Sequence, residues 1–300
     1  MVIQQVKKPP VTSHSTDVQM IAGAEEVVEV RKPGIALRIG TALDPGIERK
    51  LRPNEDTLSV THDSIPSDSS KPFVLLMVAD GMGGQGHGQE ASRLAVQSLT
   101  EYVSGSLCSK QATPQTFLSL LEEGVRYANR VVYQRNREQR TEMGTTMTAS
   151  LVVDTTAYVA HVGDSRCYLY REPGGLSQIT HDHSLVAALV AAGVIQPEDI
   201  YTHPRRNLIY RCLGEKASVE VDTCSVPLVA GDILLLCSDG LWELVRDQQI
   251  AAILNSPLPG PSQTAHALLQ AALTGGGADN VSVIVVQVGK RPKSWDGDAQ

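Results

Sequence analysis

The amino-acid sequence predicts an α+β domain built as a sandwich, with β-sheet inside and helices outside. Short apolar segments of β-prone residues follow one another with turn residues between them, which is typical of an antiparallel meander. Helical segments accompany these strands, but strands and helices do not alternate regularly, which argues against a parallel α/β sheet. With 300 residues, 42% of them hydrophobic, the chain is long enough to bury one large core.

Apolar periodicity locates the individual elements. Alternation of apolar and polar residues indicates strands, and a period near 3.6 indicates amphipathic helices. Strands are predicted at residues 35–42, 57–60, 73–79, 143–153, 157–162, 166–171, 176–180, 219–224, 232–237 and 281–288. Helices are predicted at residues 90–105, 114–137, 184–192, 247–254 and 262–273, and a surface hairpin loop at residues 62–71.

The chain is predicted to contain one domain, residues 34–290, because no internal linker rich in Gly, Ser or Pro divides it. Residues 1–33 mix Lys, Pro, Ser and acidic residues and are interpreted as a mobile leader, or as a leader with one extra edge strand at Val27–Val30. Residues 291–300 are interpreted as a polar tail. Residues 181–204 are an insert that interrupts the strand meander.

Composition and charge exclude several classes of partner. The net charge of −7 and the pI of about 5.6 leave no basic stripe for a nucleic acid. No apolar run approaches the roughly 20 residues of a membrane span, and the N-terminus lacks the apolar centre of a signal peptide. Five cysteines without CxxC spacing indicate reduced thiols and a cytoplasmic location. We expect a monomer that binds neither nucleic acid nor membrane.

Five aspartates stand where predicted strands begin or end. Asp80 follows the apolar run 73–79 and precedes a glycine-rich turn, and Asp239 and Asp164 repeat the arrangement after two other strands. Asp56 stands directly before a strand, and Asp279 stands two residues before another. If these carboxylates meet, each raises the cost of ionising the others, so a counter-charge is required. Divalent cations that prefer oxygen ligands are the natural counter-charge.

Six short motifs carry these acids, in this order: Asn54-Glu55-Asp56, Val78-Ala79-Asp80-Gly81-Met82-Gly83-Gly84, Gly144-Thr145-Thr146, His161-Val162-Gly163-Asp164-Ser165-Arg166, Cys237-Ser238-Asp239-Gly240-Leu241 and Asp279-Asn280-Val281-Ser282. The set resembles that of the metal-dependent type-2C Ser/Thr protein phosphatases (the PPM family), in particular the bacterial branch. The likeness covers residues 35–288. It implies two antiparallel β-sheets packed face to face as a central sandwich, flanked by helices on both sides.

The resemblance also implies a cofactor, which is Mn²⁺ or Mg²⁺, with two tightly bound ions and a third, weaker one at one end of the sandwich. By motif, Asp80 resembles the carboxylate that bridges the two tight ions, and the Gly81 carbonyl resembles a ligand of one of them. Asp239 and Asp279 resemble ligands of the other ion. Asp164 resembles the acid that helps to hold the third ion.

Asp56 would lie beside this cluster, as a direct ligand or through water. The catalytic group implied by the resemblance is Asp56, Asp80, Asp239 and an arginine that grips the substrate phosphate. Two cations about 3.5–4 Å apart lower the pKa of a bridging water, which then attacks the phosphate monoester in line. No cysteine or serine nucleophile is needed.

The position of the phosphate-gripping arginine departs from the family pattern. Family members usually carry it five residues before the Asp of Asn-x-Asp, and that position is Leu51 here. Arg52 follows directly and is the candidate, because a guanidinium binds phosphate in a bidentate manner. Arg49 is the neighbouring arginine, and a plain surface charge is the alternative for Arg52.

Three histidines are candidates for contact with the substrate. Bacterial members often carry His directly after the glycine-rich motif, where this chain has Gln85, and His87 comes two residues later. His87 is a general-acid candidate or a solvated loop residue. His181 and His183 open the insert and are candidates for substrate contact. Trp242 is interpreted as a core residue.

The sequence thus favours a Mn²⁺- or Mg²⁺-dependent protein Ser/Thr phosphatase that acts on phosphoproteins, the products of a Ser/Thr kinase. Two alternatives stay open: a metal-dependent hydrolase of small phosphoesters, and a phosphatase-fold regulatory module with weak or no catalysis. The presence of all five acids argues against the second alternative.

Overall fold

The computed structural model describes residues 28–31, 35–65, 68–107 and 114–290. Within these ranges the chain forms twelve strands: β1 (Val28–Arg31), β2 (Ile35–Asp44), β3 (Asp56–Ile65), β4 (Asp68–Met82), β5 (Gly144–Thr145), β6 (Met147–Val153), β7 (Thr156–Val162), β8 (Arg166–Arg171), β9 (Gly175–Gln178), β10 (Asp222–Pro227), β11 (Ile233–Cys237) and β12 (Val281–Lys290). The α-helices in the same ranges are α1 (His87–Leu107), α2 (Pro114–Gln139), α3 (Leu185–Ala191), α4 (Asp239–Trp242), α5 (Asp247–Leu254) and α6 (Pro261–Thr274).

The strands form two antiparallel sheets. The first has the order β1-β2-β12-β11-β8-β9, and the second has the order β10-β7-β6-β4-β3 with the short β5 beside β4. An apolar cluster from both sheets fills the space between them. Helices α1 and α2 cover the outer face of the second sheet, and α4, α5 and α6 cover the outer face of the first. The predicted α+β sandwich with helices on both sides is confirmed.

The continuous apolar runs of the sequence have a direct cause in these layers. In β4, Val74 and Leu76 pack between the sheets while Leu75 and Met77 pack against α1 and α2. The alternating faces of a strand are then both buried, so every residue of the run must be apolar. The same holds for β11, whose neighbouring residues Leu234 and Leu235 face opposite layers.

Several element boundaries differ from the sequence-based predictions. Strand β3 ends at Ile65 and strand β4 begins at Asp68, so both extend well into the predicted hairpin loop 62–71. The predicted strand 143–153 is broken at Thr146, which belongs to neither β5 nor β6. Its backbone N–H bonds to the Asp80 carbonyl instead. Strand β10 lies three residues later than predicted, because it is an edge strand with mostly exposed side chains and a weak apolar pattern.

The insert is longer than predicted. Between β9 and β10 the chain forms α3, a 3-10 turn at Pro197–Tyr201 and then irregular backbone up to β10. Gly193 follows α3 with φ of 68°, consistent with the predicted cap. Within the interpreted leader, β1 pairs with β2, which is the edge-strand alternative. Residues 1–27 and the tail 291–300 lie outside the described residues. No helix in the described ranges is long and apolar enough to cross a membrane.

Close packing of α6 on the first sheet depends on Gly40 in β2. A Cβ at this position would lie 2.2 Å from the backbone nitrogen of Ser262, at the start of α6. We predict that Gly40→Ala lowers the free energy of unfolding by about 1–3 kcal/mol, the usual cost of overpacking. Gly289→Ala is the matched control, because a Cβ there meets Ala36 at an ordinary 3.6 Å. Urea unfolding measures both; an equal effect of the two variants would contradict the packing argument.

Candidate active site

The two sheets bring all five predicted aspartates to one end of the sandwich. Asp56 begins β3 and Asp80 lies near the end of β4, and the two are cross-strand partners in the second sheet. Asp164 occupies the turn between β7 and β8. Asp239 begins α4 directly after β11, and Asp279 stands two residues before β12, so these two come from the first sheet. The site therefore straddles the edge where both sheets end.

Asp56 is held by hydroxyl groups from the opposite sheet. The Ser238 and Ser282 hydroxyls each donate to Asp56 Oδ2 at 2.7 Å. The Ser238 hydroxyl also accepts from the Ser282 backbone N–H at 2.9 Å. Both serines lie in motifs identified from the sequence, but their contact with Asp56 was not predicted. They fix one oxygen of Asp56 and leave Oδ1 buried without a hydrogen-bond partner in the described structure.

The backbone of Asp80 is fixed by the break between β5 and β6. Its carbonyl accepts from the Thr146 N–H at 2.8 Å and from the Thr145 hydroxyl at 2.9 Å. Its own N–H donates to Thr146 Oγ1 at 2.8 Å. The side chain of Asp80 is thus presented from a backbone segment that cannot shift without losing three hydrogen bonds.

Gly81 is packed too tightly for any other residue. A Cβ there would lie 2.0 Å from the carbonyl oxygen of Gly88 at the start of α1, and 2.6 Å from that of Glu55. The Gly81 N–H donates to the Glu55 carbonyl at 3.1 Å, which ties β4 to the residue before Asp56. The glycine thus permits a close approach of three backbone segments beside the acids.

The carboxyl groups are close enough to perturb one another. Burial raises the pKa of Asp80 well above its ordinary value, and the charges of Asp239, Asp56, Asp164 and Asp279 raise it further. The pKa of Asp239 is strongly raised by burial and then by Asp164 and Asp279. Burial raises the pKa of Asp56 to about 6 and that of Asp164 to about 7. The cluster is unfavourable as a set of bare anions.

The donor set fits a hard divalent cation. Asp239 Oδ1, like Asp56 Oδ1, is buried without a hydrogen-bond partner in the described structure, and a buried anionic oxygen requires a positive partner. Among the described residues, no three His, Cys, Asp or Glu side chains are arranged to hold an ion by themselves. An ion would therefore take one or two carboxylates together with main-chain oxygen and water, the ligand set that Mg²⁺ prefers.

Arg49, and not the predicted Arg52, contacts the acidic group. Its Nη1 lies 2.6 Å from Asp279 Oδ1 and 3.7 Å from Glu55 Oε2. The loop that bears it is fixed by the Ile47 N–H, which donates to the Gly277 carbonyl at 2.8 Å. Arg52 is exposed. The sequence offered no signal for this choice, because the loop conformation between residues 45 and 55 decides which arginine turns inward.

The three histidines predicted to contact substrate differ in their exposure to solvent. His87 begins α1 next to the glycine-rich turn and is half-buried, and His181 is exposed at the root of the insert. His183 is only 3% exposed, and both of its ring nitrogens contact protein groups, so it is not placed for contact with substrate. Trp242 is buried as predicted, but its indole N–H donates to the Asp164 carbonyl at 3.0 Å.

The chain belongs to the protein phosphatase 2C family, whose sequence model matches residues 48–273. This agrees with the site just described and confirms the resemblance to the type-2C phosphatases.

Individual relatives share the sequence and the fold. The serine/threonine phosphatase stp of Listeria monocytogenes serotype 4b is 37% identical over 236 residues, which is 78% of this chain and 90% of the relative. The catalytic domain of the serine/threonine protein phosphatase PstP, solved in complex with two manganese ions, superposes with a TM-score of 0.70 at 34% identity and covers 85% of this chain and 99% of its own. Stp1 from Staphylococcus aureus gives a TM-score of 0.74 at 30% identity, with coverage of 89% and 99%.

The raised pKa values predict how pH affects the metal-free protein. A carboxyl whose pKa is higher in the folded than in the unfolded state stabilises the fold below its ordinary value of 3.8. That stability is lost as the pH rises through the folded values, about 6 for Asp56 and about 7 for Asp164. Because cations bind the deprotonated carboxylates, we predict that Mn²⁺ raises Tm more at about pH 8 than at about pH 5. Calorimetry in EDTA and in Mn²⁺ measures this; equal shifts at both pH values would contradict it.

Proposed function

We propose that this protein is a Mn²⁺- or Mg²⁺-dependent protein Ser/Thr phosphatase that hydrolyses phosphoserine and phosphothreonine in proteins. The observation that carries the proposal is a group of five aspartates, two buried and three half-buried, with two carboxyl oxygens that lack a hydrogen-bond partner in the described structure, at one end of the sandwich. Membership of the protein phosphatase 2C family and similarity to named serine/threonine phosphatases support it. The PstP structure with two manganese ions supports the choice of cofactor.

We assign the residues as follows. Asp80, the Gly81 carbonyl, Asp239 and Asp279 hold the two tight ions. Backbone hydrogen bonds fix Asp80 and Gly81, Asp239 has a buried oxygen without a hydrogen-bond partner in the described structure, and the nearby Asp279 charge raises the pKa of Asp239. Asp56 lies beside them, with Oδ1 available to an ion or to an ion-bound water. Bound Mn²⁺ or Mg²⁺ would supply an activated water and neutralise charge on the phosphoryl oxygens.

Asp164 is assigned to the weaker ion, beside Asp239. The two carboxyl groups raise each other's cost of ionisation, since Asp164 is the charge with the largest effect on the pKa of Asp239. Asp164 lies on a turn and is not part of a strand, unlike Asp56 and Asp80. A ligand on a turn suits an ion that binds less tightly than the central pair.

Arg49 takes the role that the sequence assigned to Arg52. Its guanidinium lies at the edge of the acidic group, paired with Asp279, and is about a third exposed on one side. A guanidinium in this place can bind two phosphate oxygens while its other face stays on the carboxylate.

We also propose the substrates, the oligomeric state and the location of the protein. The substrates would be phosphoproteins made by a Ser/Thr kinase, as the names of the relatives support. We propose that the protein acts as a cytoplasmic monomer. The four cysteines of the described ranges are free thiols, in keeping with a reducing compartment.

The central experiment compares a phosphothreonine peptide with a nucleotide, each in Mn²⁺ and in excess EDTA. We predict hydrolysis of the peptide in Mn²⁺, loss of activity in EDTA and much slower hydrolysis of the nucleotide. Asp239→Asn should lower turnover more than about 100-fold, since even indirect metal partners contribute about 10–100-fold. The control Asp154→Asn, in the exposed turn at the other end of β7, should retain activity. Full activity in EDTA would disprove the metal requirement, and preference for the nucleotide would favour the small-phosphoester alternative.

The two arginines can be separated by substitution. We predict that Arg49→Ala lowers kcat/KM for a phosphopeptide by about 10-fold or more, since a hydrogen bond to a charged group contributes about 1.5–3 kcal/mol. Arg52→Ala, at an exposed position four residues before Asp56, should change it by less than about 3-fold. Steady-state kinetics at saturating Mn²⁺ gives both values. The reverse order of effects would restore Arg52 as the phosphate-binding residue.

A further inference from the structure

The turn that carries Asp164 is held by the first residues of the insert. This turn, residues 163–165, connects β7 to β8 and lies against residues 182–183, which follow β9 by only a few positions. Asp182 and His183, near the start of the insert, are both buried.

His183 binds both polar backbone groups of the residue that precedes Asp164. The backbone N–H of His183 donates to the Gly163 carbonyl at 2.7 Å. The Gly163 N–H donates to His183 Nδ1 at 3.0 Å, so this nitrogen acts as an acceptor and carries no proton. Gly163 has φ of 110°, and a Cβ there would lie 2.6 Å from the Thr146 side chain. Gly163 is thus both sterically confined and hydrogen-bonded through both of its backbone polar groups to His183.

The ring of His183 is fixed from its other side as well. With Nδ1 unprotonated, Nε2 carries the proton and lies 3.3 Å from Asp222 Oδ2, which can accept it. Arg211 Nη1, 2.9 Å from Nε2, donates to Asp222 Oδ1 at 2.7 Å and so holds this carboxylate in place. The ring packs against His161 and Tyr210, with centroids 4.9 Å and 5.9 Å away. Nδ1 is therefore aimed at Gly163 by contacts with the sheet and with the far end of the insert.

Asp182 fixes the residue at the other end of the turn. Its carboxylate accepts three hydrogen bonds from Arg166 at 2.6–3.1 Å, and both side chains are almost fully buried. The Arg166 guanidinium lies 3.7 Å from the centre of the Trp242 ring. The Trp242 indole in turn donates to the Asp164 carbonyl. Asp164 is therefore held on the Gly163 side by His183 and on the Arg166 side by Asp182 and Trp242.

Within the described residues, Asp182 and His183 form no hydrogen bond with the segments that hold Asp56, Asp80, Asp239 and Asp279. Asp56 is held by serines at the end of β11 and the start of β12, and Asp80 by threonines between β5 and β6. Asp239 begins a helix directly after β11. Among the five acids, Asp164 is thus the one whose turn bonds directly to the start of the insert, while Thr146 and Thr148 hold Ser165 at the other end of that turn.

We infer that His183 and Asp182 are positioning residues for Asp164, so that the placement of the insert determines the placement of this single acid. The inference rests on the proposed function, in which Asp164 serves the weaker ion. It gives His183 a structural task in place of contact with substrate. A partner or substrate that displaced only residues 182–183 would weaken the Asp164 position, while Thr145, which holds Asp80, would keep its pairing with Leu213 further along the insert.

Two substitutions of His183 separate hydrogen bonding from packing. His183→Asn loses most of the ring contacts but places an amide oxygen close to the position of Nδ1. His183→Phe keeps a ring against His161 and Tyr210 but has no acceptor for the Gly163 N–H. His266→Phe, in α6 on the outer face of the other sheet, is the matched control. His183→Leu replaces the Phe variant if that protein does not fold.

The first measurement uses the metal-free protein and needs no activity. Hydrogen exchange followed by mass spectrometry reports on the peptide that contains Gly163 and Asp164. We expect exchange at least about 10-fold faster in His183→Phe and close to wild type in His183→Asn and His266→Phe, because only the first lacks the acceptor. Unchanged exchange in His183→Phe would overturn the inference. Faster exchange in His183→Asn than in His183→Phe would also overturn it, because ring packing and not the hydrogen bond would then protect this peptide.

The second measurement is the Mn²⁺ concentration that gives half-maximal hydrolysis of p-nitrophenyl phosphate. We expect it to rise about 10-fold in His183→Phe, in line with the cost of losing an indirect ligand support. Isothermal titration should show the tight ions still bound, and Asp164→Ala should match the Phe variant. Loss of the tight ions, or an unchanged Mn²⁺ requirement, would contradict the assignment. If the wild-type protein is itself inactive with Mn²⁺, the proposed function fails, while hydrogen exchange still decides the role of His183.

Discussion

The structure depends on the close approach of five carboxyl groups, two buried and three half-buried, at one end of a β-sandwich. Burial raises the pKa of Asp80 and Asp239 strongly, and each of the five acids makes the ionisation of its neighbours more costly. Such a group persists only if the surrounding fold is stable enough to hold it. The apolar layers between and outside the two sheets provide that stability, since residues 73–79 of β4 and all residues of β6 and β11 are buried.

Asp56 and Asp80 are held by neutral hydroxyl and backbone groups rather than by charged side chains. Threonines from the β5–β6 break fix Asp80, serines from the first sheet fix one oxygen of Asp56, and Gly81 allows three backbone segments to approach closely. Neutral donors leave the negative charge of the group in place, which a cation-binding site requires. Arg49 is the arginine that pairs with a site carboxylate, at Asp279. This arrangement suits a site that attracts divalent ions and, through them, phosphate.

The motifs predicted the site better than they predicted the loops around it. The five aspartates could be found from the sequence because each stands at the end of an apolar run, and runs that end at one edge of a sheet bring their last residues together. The choice between Arg49 and Arg52 could not be predicted, since both lie on the same loop and only its hydrogen bonds to Gly277 and Asn280 set its direction. The roles of His87 and His181 stay predictions.

By itself, the sequence determined the sandwich of sheets with outer helices, the family, and the identity of the five acids. These follow from local patterns: apolar alternation, helical periodicity and short motifs within about ten residues. Only the tertiary structure decided that Trp242 and His183 serve the turn of Asp164. Their contacts join residues 78 and 20 positions apart. No local pattern records such distances, because the partners meet only when both sheets and the insert have packed.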